Sequence, residues 1–172
     1  ALPIFLALAK SRDEALCDWI KSNVAFPNTM VDRIVPSSNQ NDIEAFSQSH
    51  FEDKAVITTE DFSQWVIEDC LIGNTPLWSE VGVQLTSDVK AFETMKLRFL
   101  NATHSAISYL GLLGGFEYVH EALADPMLKK FATRLMAEEV QPVTDTPETV
   151  DIKAYQQSVL TRFSNSSVPY RT

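Results

Sequence analysis

Glu93-Thr-Met-Lys-Leu-Arg-Phe-Leu-Asn-Ala-Thr-His-Ser105 is the stretch on which the reading of this chain turns. The pattern from Ser87 onward is helical, with Asp88 as its cap and apolar positions running through Leu97, Leu100, Ile107 and Leu110. At about 100° per residue, an α-helix puts Lys96 at ~0°, Glu93 at ~60°, His104 at ~80° and Asn101 at ~140°. An amine, an amide and an imidazole on one side can take a proton from an alcohol and hold the oxygen left behind. A lysine must be neutral to accept that proton, so partial burial of Lys96 beside Leu97 and Leu100 is what this chemistry requires. On local pattern alone the plainer alternative stands: Lys96 and Arg98 as solvated helix positions, Asn101 and His104 satisfied by local hydrogen bonds.

Downstream, Gly111, Gly114 and Gly115 offer a neighbouring helix a close approach. Residues 116–124 and 126–140 read as two further helices, the second with Asp125 as cap and Pro126 at its first position. A last helix is predicted over 151–163, capped by Asp151, after the polar loop 142–147. Upstream, a first helix is predicted over about residues 4–22, with Phe5, Leu8, Leu16, Trp19 and Ile20 buried. The segment from Phe26 to Pro36 lies between two prolines and is expected to be extended or turning. Asn41 or Asp42 caps a short helix to Ser49, and short strands are expected at 55–59, within 62–69 and at 81–85. The architecture so read is mainly α-helical with a minor small β element.

The 172 residues suffice for one domain with a real core, and 45 % hydrophobic with 22 % charged residues reads as a soluble globular chain. A formal charge of -9 argues against nucleic acid or an anionic membrane as partner. Cys17 and Cys70 stand alone, without CxxC or histidines at zinc-ligand spacing, so neither a disulfide framework nor a metal is expected, and a cytoplasmic location is the default. The apolar opening from Ala1 to Ala9 lacks a basic start and is too short to span a bilayer. None of the five glycines forms GxGxxG or a P-loop, so most of any nucleotide site must come from residues outside these 172. His50 and His120 have no partners at catalytic spacing and are assigned to structure or surface. Asp61, Glu68 and Asp69 offer a carboxylate pair, which at such short range is usually a solvated edge.

Four segments in order resemble the mannitol dehydrogenase family, the polyol-specific long-chain dehydrogenases, over nearly the whole chain. They are Phe26-Pro-Asn-Thr-Met-Val-Asp-Arg-Ile-Val-Pro36, Gln64-Trp-Val-Ile-Glu-Asp69, Val81-Gly-Val-Gln84 and Met95-Lys-Leu-Arg-Phe-Leu-Asn-Ala-Thr-His-Ser105. The resemblance implies a zinc-independent enzyme that interconverts a polyol and a ketose with NAD or NADP. Lys96 would be its general base, Asn101 an oxygen donor, His104 an orienting group, Glu93 a proton path to water, and Val31 and Asp32 substrate-pocket residues. Residues 1–172 are then expected to form a partial C-terminal substrate-binding and catalytic domain, with helix 1–22 as the connection from a Rossmann domain absent from this chain. A second oxyanion asparagine before Ala1 and a basic pair after Thr172 are expected outside it. On this reading the chain is a piece of a longer protein and inactive alone, and its partners are the small polyol or ketose and the missing Rossmann domain. Two alternatives are a fructuronate- or tagaturonate-type keto-uronate reductase of the same family and a non-catalytic helical interaction domain.

Overall fold

Asp13 divides the helix predicted near the start of the chain. Its backbone is extended, at φ -159°, and its carboxylate accepts from the Ala15 N–H, so α1 (Leu2–Arg12) ends and α2 (Glu14–Asn23) begins with a cap of its own. The computed structural model describes residues 2–49 and 51–172, so Ala1 and the assignment of His50 lie outside the described residues. The chain divides into two units, residues 1–31 with 64–89 and residues 32–63 with 90–172.

In the first unit, small side chains take the buried positions of the helical pair, Ala9 and Cys17. Phe5, Leu8, Leu16 and Trp19, expected inside, are 53 %, 52 %, 42 % and 55 % exposed. The segment between Pro27 and Pro36 contributes β1 (Thr29–Asp32), which joins β2 (Gln64–Glu68) and β3 (Val83–Thr86) in a sheet of order β1-β2-β3. Glu68 accepts from both the backbone N–H and the side-chain amide of Asn28, and the Trp65 indole donates to Thr29 Oγ1. Strand β2 runs parallel to β3, with Trp65 opposite Val83 and Glu68 opposite Thr86. Parallel pairs are the units from which α/β sheets are built. That pairing sits poorly with the expectation of a chain containing nothing of a Rossmann domain.

The second unit is built from helices. Residues 55–59 form no strand, because Thr59 Oγ1 and the Glu60 N–H both donate to the Ile34 carbonyl and so hold the segment as a loop. In α3 (Gln40–Ser49), Asn39 Oδ1 accepts from the Asp42 N–H, two to three residues before the predicted caps. Asp125 and Asp151 cap α7 (Pro126–Arg134) and α8 (Ile152–Phe163) as the sequence predicts, each accepting two backbone N–H bonds. Between α3 and α7 in the chain lie α4 (Val89–Met95), α5 (Ala102–Leu113) and α6 (Val119–Ala124).

Helices α4 and α5 do not join as one regular helix. Residues Lys96–Asn101 form a π-helical turn, in which the Ala102 N–H donates to the Leu97 carbonyl five residues back. The buried row is Met95, Phe99, Thr103, Ile107 and Gly111, in steps of four, wider than the 3.6 of a regular helix. The wide turn absorbs the difference. It also explains why Leu97 and Leu110, predicted on the apolar face, are 49 % and 38 % exposed. A second π-helical turn, Leu135–Val140, continues α7 and packs against the first, and Arg98 Nη1 donates to the Val143 carbonyl. At Gly111 the α6 helix comes so close that a Cβ would meet the Cβ of Ala122 at 3.1 Å.

Candidate active site

Lys96 opens the first wide turn and Asn101 closes it. Because that turn closes from residue i to i+5, these two side chains stand one turn apart, nearer in azimuth than the ~140° of a regular helix. Lys96 is half-buried, while Asn101 and Glu93 are exposed. Among the described residues none of the three side chains has a hydrogen bond or ion pair within the chain. An uncommitted amine and an uncommitted amide on adjacent turns suit proton transfer to the one and hydrogen bonding from the other.

His104, one turn beyond Asn101, is held on three sides. Its ring stacks on Tyr170 at 4.1 Å between centroids and 22° between planes, and it meets Phe163 edge-on at 5.9 Å. Its Nε2 lies 3.2 Å from the carbonyl oxygen of Arg171 and 3.4 Å from Ser108 Oγ. Burial pushes the imidazole below its ordinary range, and the bond to the Arg171 carbonyl opposes that only in part. A cavity of about 290 Å³ lies beside it, bounded by His104, Ser105, Ser108, Tyr109, Leu112 and Arg171.

Asp32 is 1 % exposed, and each of its oxygens accepts from Arg162, at 2.8 and 2.9 Å. Arg162 also donates to both oxygens of Glu60 and lies 3.9 Å over the Phe62 ring. Arg33, the alternative partner for Asp32, donates instead to the Glu60 carbonyl. Burial works against the Arg162 charge, but the hydrogen bonds and negative charges of Asp32 and Glu60 outweigh it and raise its affinity for the proton. Asp32 therefore spends its acceptors inside the second unit, while Val31, next to it in the chain, is 57 % exposed. Glu60, Arg162, Phe163 and Tyr170 were not legible as partners from spacing. One signal was present: Arg162 falls between Leu160 and Phe163 on a buried face, and an arginine is almost never buried unless paired. His120 stacks on Tyr118 at 5.6 Å.

Two family models match this chain: the mannitol dehydrogenase Rossmann domain over residues 5–80 and the mannitol dehydrogenase C-terminal domain over residues 88–172. The first match corrects the expectation that the Rossmann domain is absent, since part of it lies in the first half of the chain. That expectation rested on the missing Gly-rich loop, but a Rossmann domain also has strands and helices that touch no phosphate and carry no such signature. Among curated relatives, D-mannonate oxidoreductase of Escherichia coli (strain K12) is 44 % identical over 97 % of this chain and 35 % of its own length. Mannitol 2-dehydrogenase of Phaeosphaeria nodorum is 41 % identical over 96 % of this chain and 30 % of its own. The chain thus spans about a third of the length of these relatives. Among solved structures, Pseudomonas fluorescens mannitol 2-dehydrogenase, a ternary complex with NAD and D-mannitol, matches at TM-score 0.79 and 38 % identity, covering 96 % of this chain and 34 % of that one. A D-sorbitol dehydrogenase in substrate-free form matches at TM-score 0.86 and 35 % identity, over 97 % of this chain and 35 % of that one.

Proposed function

The chain belongs to the mannitol dehydrogenase family, and from that premise we propose that the protein interconverts a polyol and a ketose with NAD, using Lys96 as its general base. The observation that supports this most directly is the wide turn that sets Lys96 one turn from Asn101 with both side chains uncommitted among the described residues. The neutral Lys96 amine accepts the proton of the substrate hydroxyl, and in the reverse direction its ammonium returns a proton to the oxygen. Asn101 donates to that oxygen as charge develops on it, a contact whose loss typically costs ~3–4 kcal/mol of transition-state stabilisation. Glu93, exposed three residues before Lys96, passes the proton between the amine and water. His104 orients the substrate. Asp32 supports the pocket through its clamp on Arg162.

Bound NAD would supply the acceptor for the hydride of the carbinol carbon. No residue of this chain is assigned to its phosphates, because none of the five glycines forms a phosphate-cradling loop. Lys96→Ala in the full-length protein tests the reading: turnover falls ~10²–10⁴-fold while cofactor affinity is kept. Wild-type turnover in that variant would refute the role of Lys96. A second reading, an enzyme for an acidic sugar, is supported by the 44 % identity to D-mannonate oxidoreductase. Assays with D-mannitol, D-sorbitol, D-fructose, D-mannonate and D-fructuronate decide between the two.

A further inference from the structure

We propose that Tyr170 is a positioning residue that, with the main chain of Arg171, fixes His104 as the neutral tautomer protonated on Nε2 and leaves Nδ1 to accept a hydrogen bond from a substrate hydroxyl. The segment carrying Tyr170 and Arg171 is itself pinned. Val119 N–H donates to the Tyr170 carbonyl at 2.8 Å, and Thr172 N–H donates to the Glu117 carbonyl at 3.1 Å. Tyr118 and Arg171 form an antiparallel bridge, and Thr172 Oγ1 donates to the Phe116 carbonyl. The Arg171 carbonyl is thus presented to His104 from a fixed edge. A carbonyl oxygen only accepts, so the Nε2 facing it at 3.2 Å carries the hydrogen. The Tyr170 ring, stacked nearly parallel to the imidazole at 4.1 Å, and the Phe163 ring beside it prevent the imidazole from turning to offer its other nitrogen. Nδ1 has no partner among the described residues.

The side chains around the ring agree with a neutral form. The Arg171 guanidinium is turned to Glu117, at 3.4 Å, and Ser108 contributes only a hydroxyl. An imidazole fixed in this way offers a lone pair, which selects a substrate hydroxyl as donor and disfavours a carboxylate or carbonyl oxygen at that position.

The role of Nδ1 toward substrate rests on the polyol reading, whereas the tautomer does not. In the full-length protein labelled with ¹⁵N-histidine, with the His104 signals assigned by their loss in His104→Gln, the nitrogen shifts should report a hydrogen on Nε2 alone. A hydrogen on Nδ1 in the wild type overturns the proposal without any variant having to fold. Tyr170→Leu should yield a mixture of tautomers and raise the KM for D-mannitol about three- to tenfold, the loss expected of one hydrogen bond, with little change in kcat. Tyr170→Phe, which keeps the ring, should restore both the single tautomer and the KM. An unchanged tautomer and KM in Tyr170→Leu would defeat the proposal even if Lys96→Ala had already upheld the polyol reading. If Lys96→Ala instead kept full activity, that reading would fall and the nitrogen shifts alone would decide the tautomer.

Discussion

The second unit contains two groups of polar side chains under opposite constraints. Around Arg162 every donor direction used is met by a carboxylate, and the three charged side chains are 5 %, 1 % and 4 % exposed. Around Lys96 the amine, the Asn101 amide and the Glu93 carboxylate are within reach of solvent and bound to nothing else among the described residues. A buried cluster whose charges are paired is held in place by the fold, and polar groups left unpaired are available to a ligand. The pairing of Asp32 and Glu60 with Arg162 accounts for how two carboxylates come to be buried side by side.

The largest effect expected from breaking this contrast is on stability. Arg162→Ala leaves two sealed carboxylates without a counter-charge and should cost ~3–5 kcal/mol in a urea titration. Replacing Arg162, Asp32 and Glu60 together by apolar residues of similar volume should recover most of that loss, since no buried charge then remains. If Arg162→Ala unfolded at the wild-type midpoint, the cluster would not be the clamp described.

Asn101→Ala should behave in the opposite way. Turnover falls ~10²–10³-fold, and the unfolding midpoint moves by no more than about 0.5 kcal/mol, because the amide holds nothing inside the fold. Equal losses of stability and turnover would erase the distinction between the two groups. Assays and urea titrations on the same preparations read both.

His104 stands between the extremes, partly buried and partly partnered, and gives the smallest effect. Its folded form resists protonation relative to the ordinary 6.5, so the unfolded chain takes up the proton first as pH falls. Stability is therefore unaffected well above ~6.5 and declines as pH drops below it, until the folded form also protonates. His104→Gln should flatten that part of the profile, as followed by unfolding midpoints across it.

What was legible in the sequence was local. Asp125 and Asp151 announce their helices because a cap acts within three residues. Lys96, Asn101 and His104 were picked out by residue type and spacing, although spacing alone left them undecided against solvated positions. The wide turn was not legible, since no residue in Lys96–Asn101 departs from ordinary helix formers, and the regular phase assumed for it misplaced Leu97 and Leu110. The clamp was beyond reach because Arg162 finds partners 102 and 130 positions away. The first half of the chain was misassigned for a related reason: its parallel strands carry pairing information only in company with each other.

The wide turn also sets how this stretch tolerates changes of length. It holds one residue more than a regular turn would, so deleting any residue within Lys96–Asn101 would leave a helix that still winds without interruption. Residues on either side of the deletion would keep their azimuth, because the wide turn already takes up the surplus residue. Thr103, Ile107 and Gly111 would stay in the core and His104 on the face of Tyr170. Loss of exposed Leu97 or Arg98 by a single in-frame codon deletion should therefore be absorbed here as a regular turn, where in an uninterrupted helix it would rotate everything that follows.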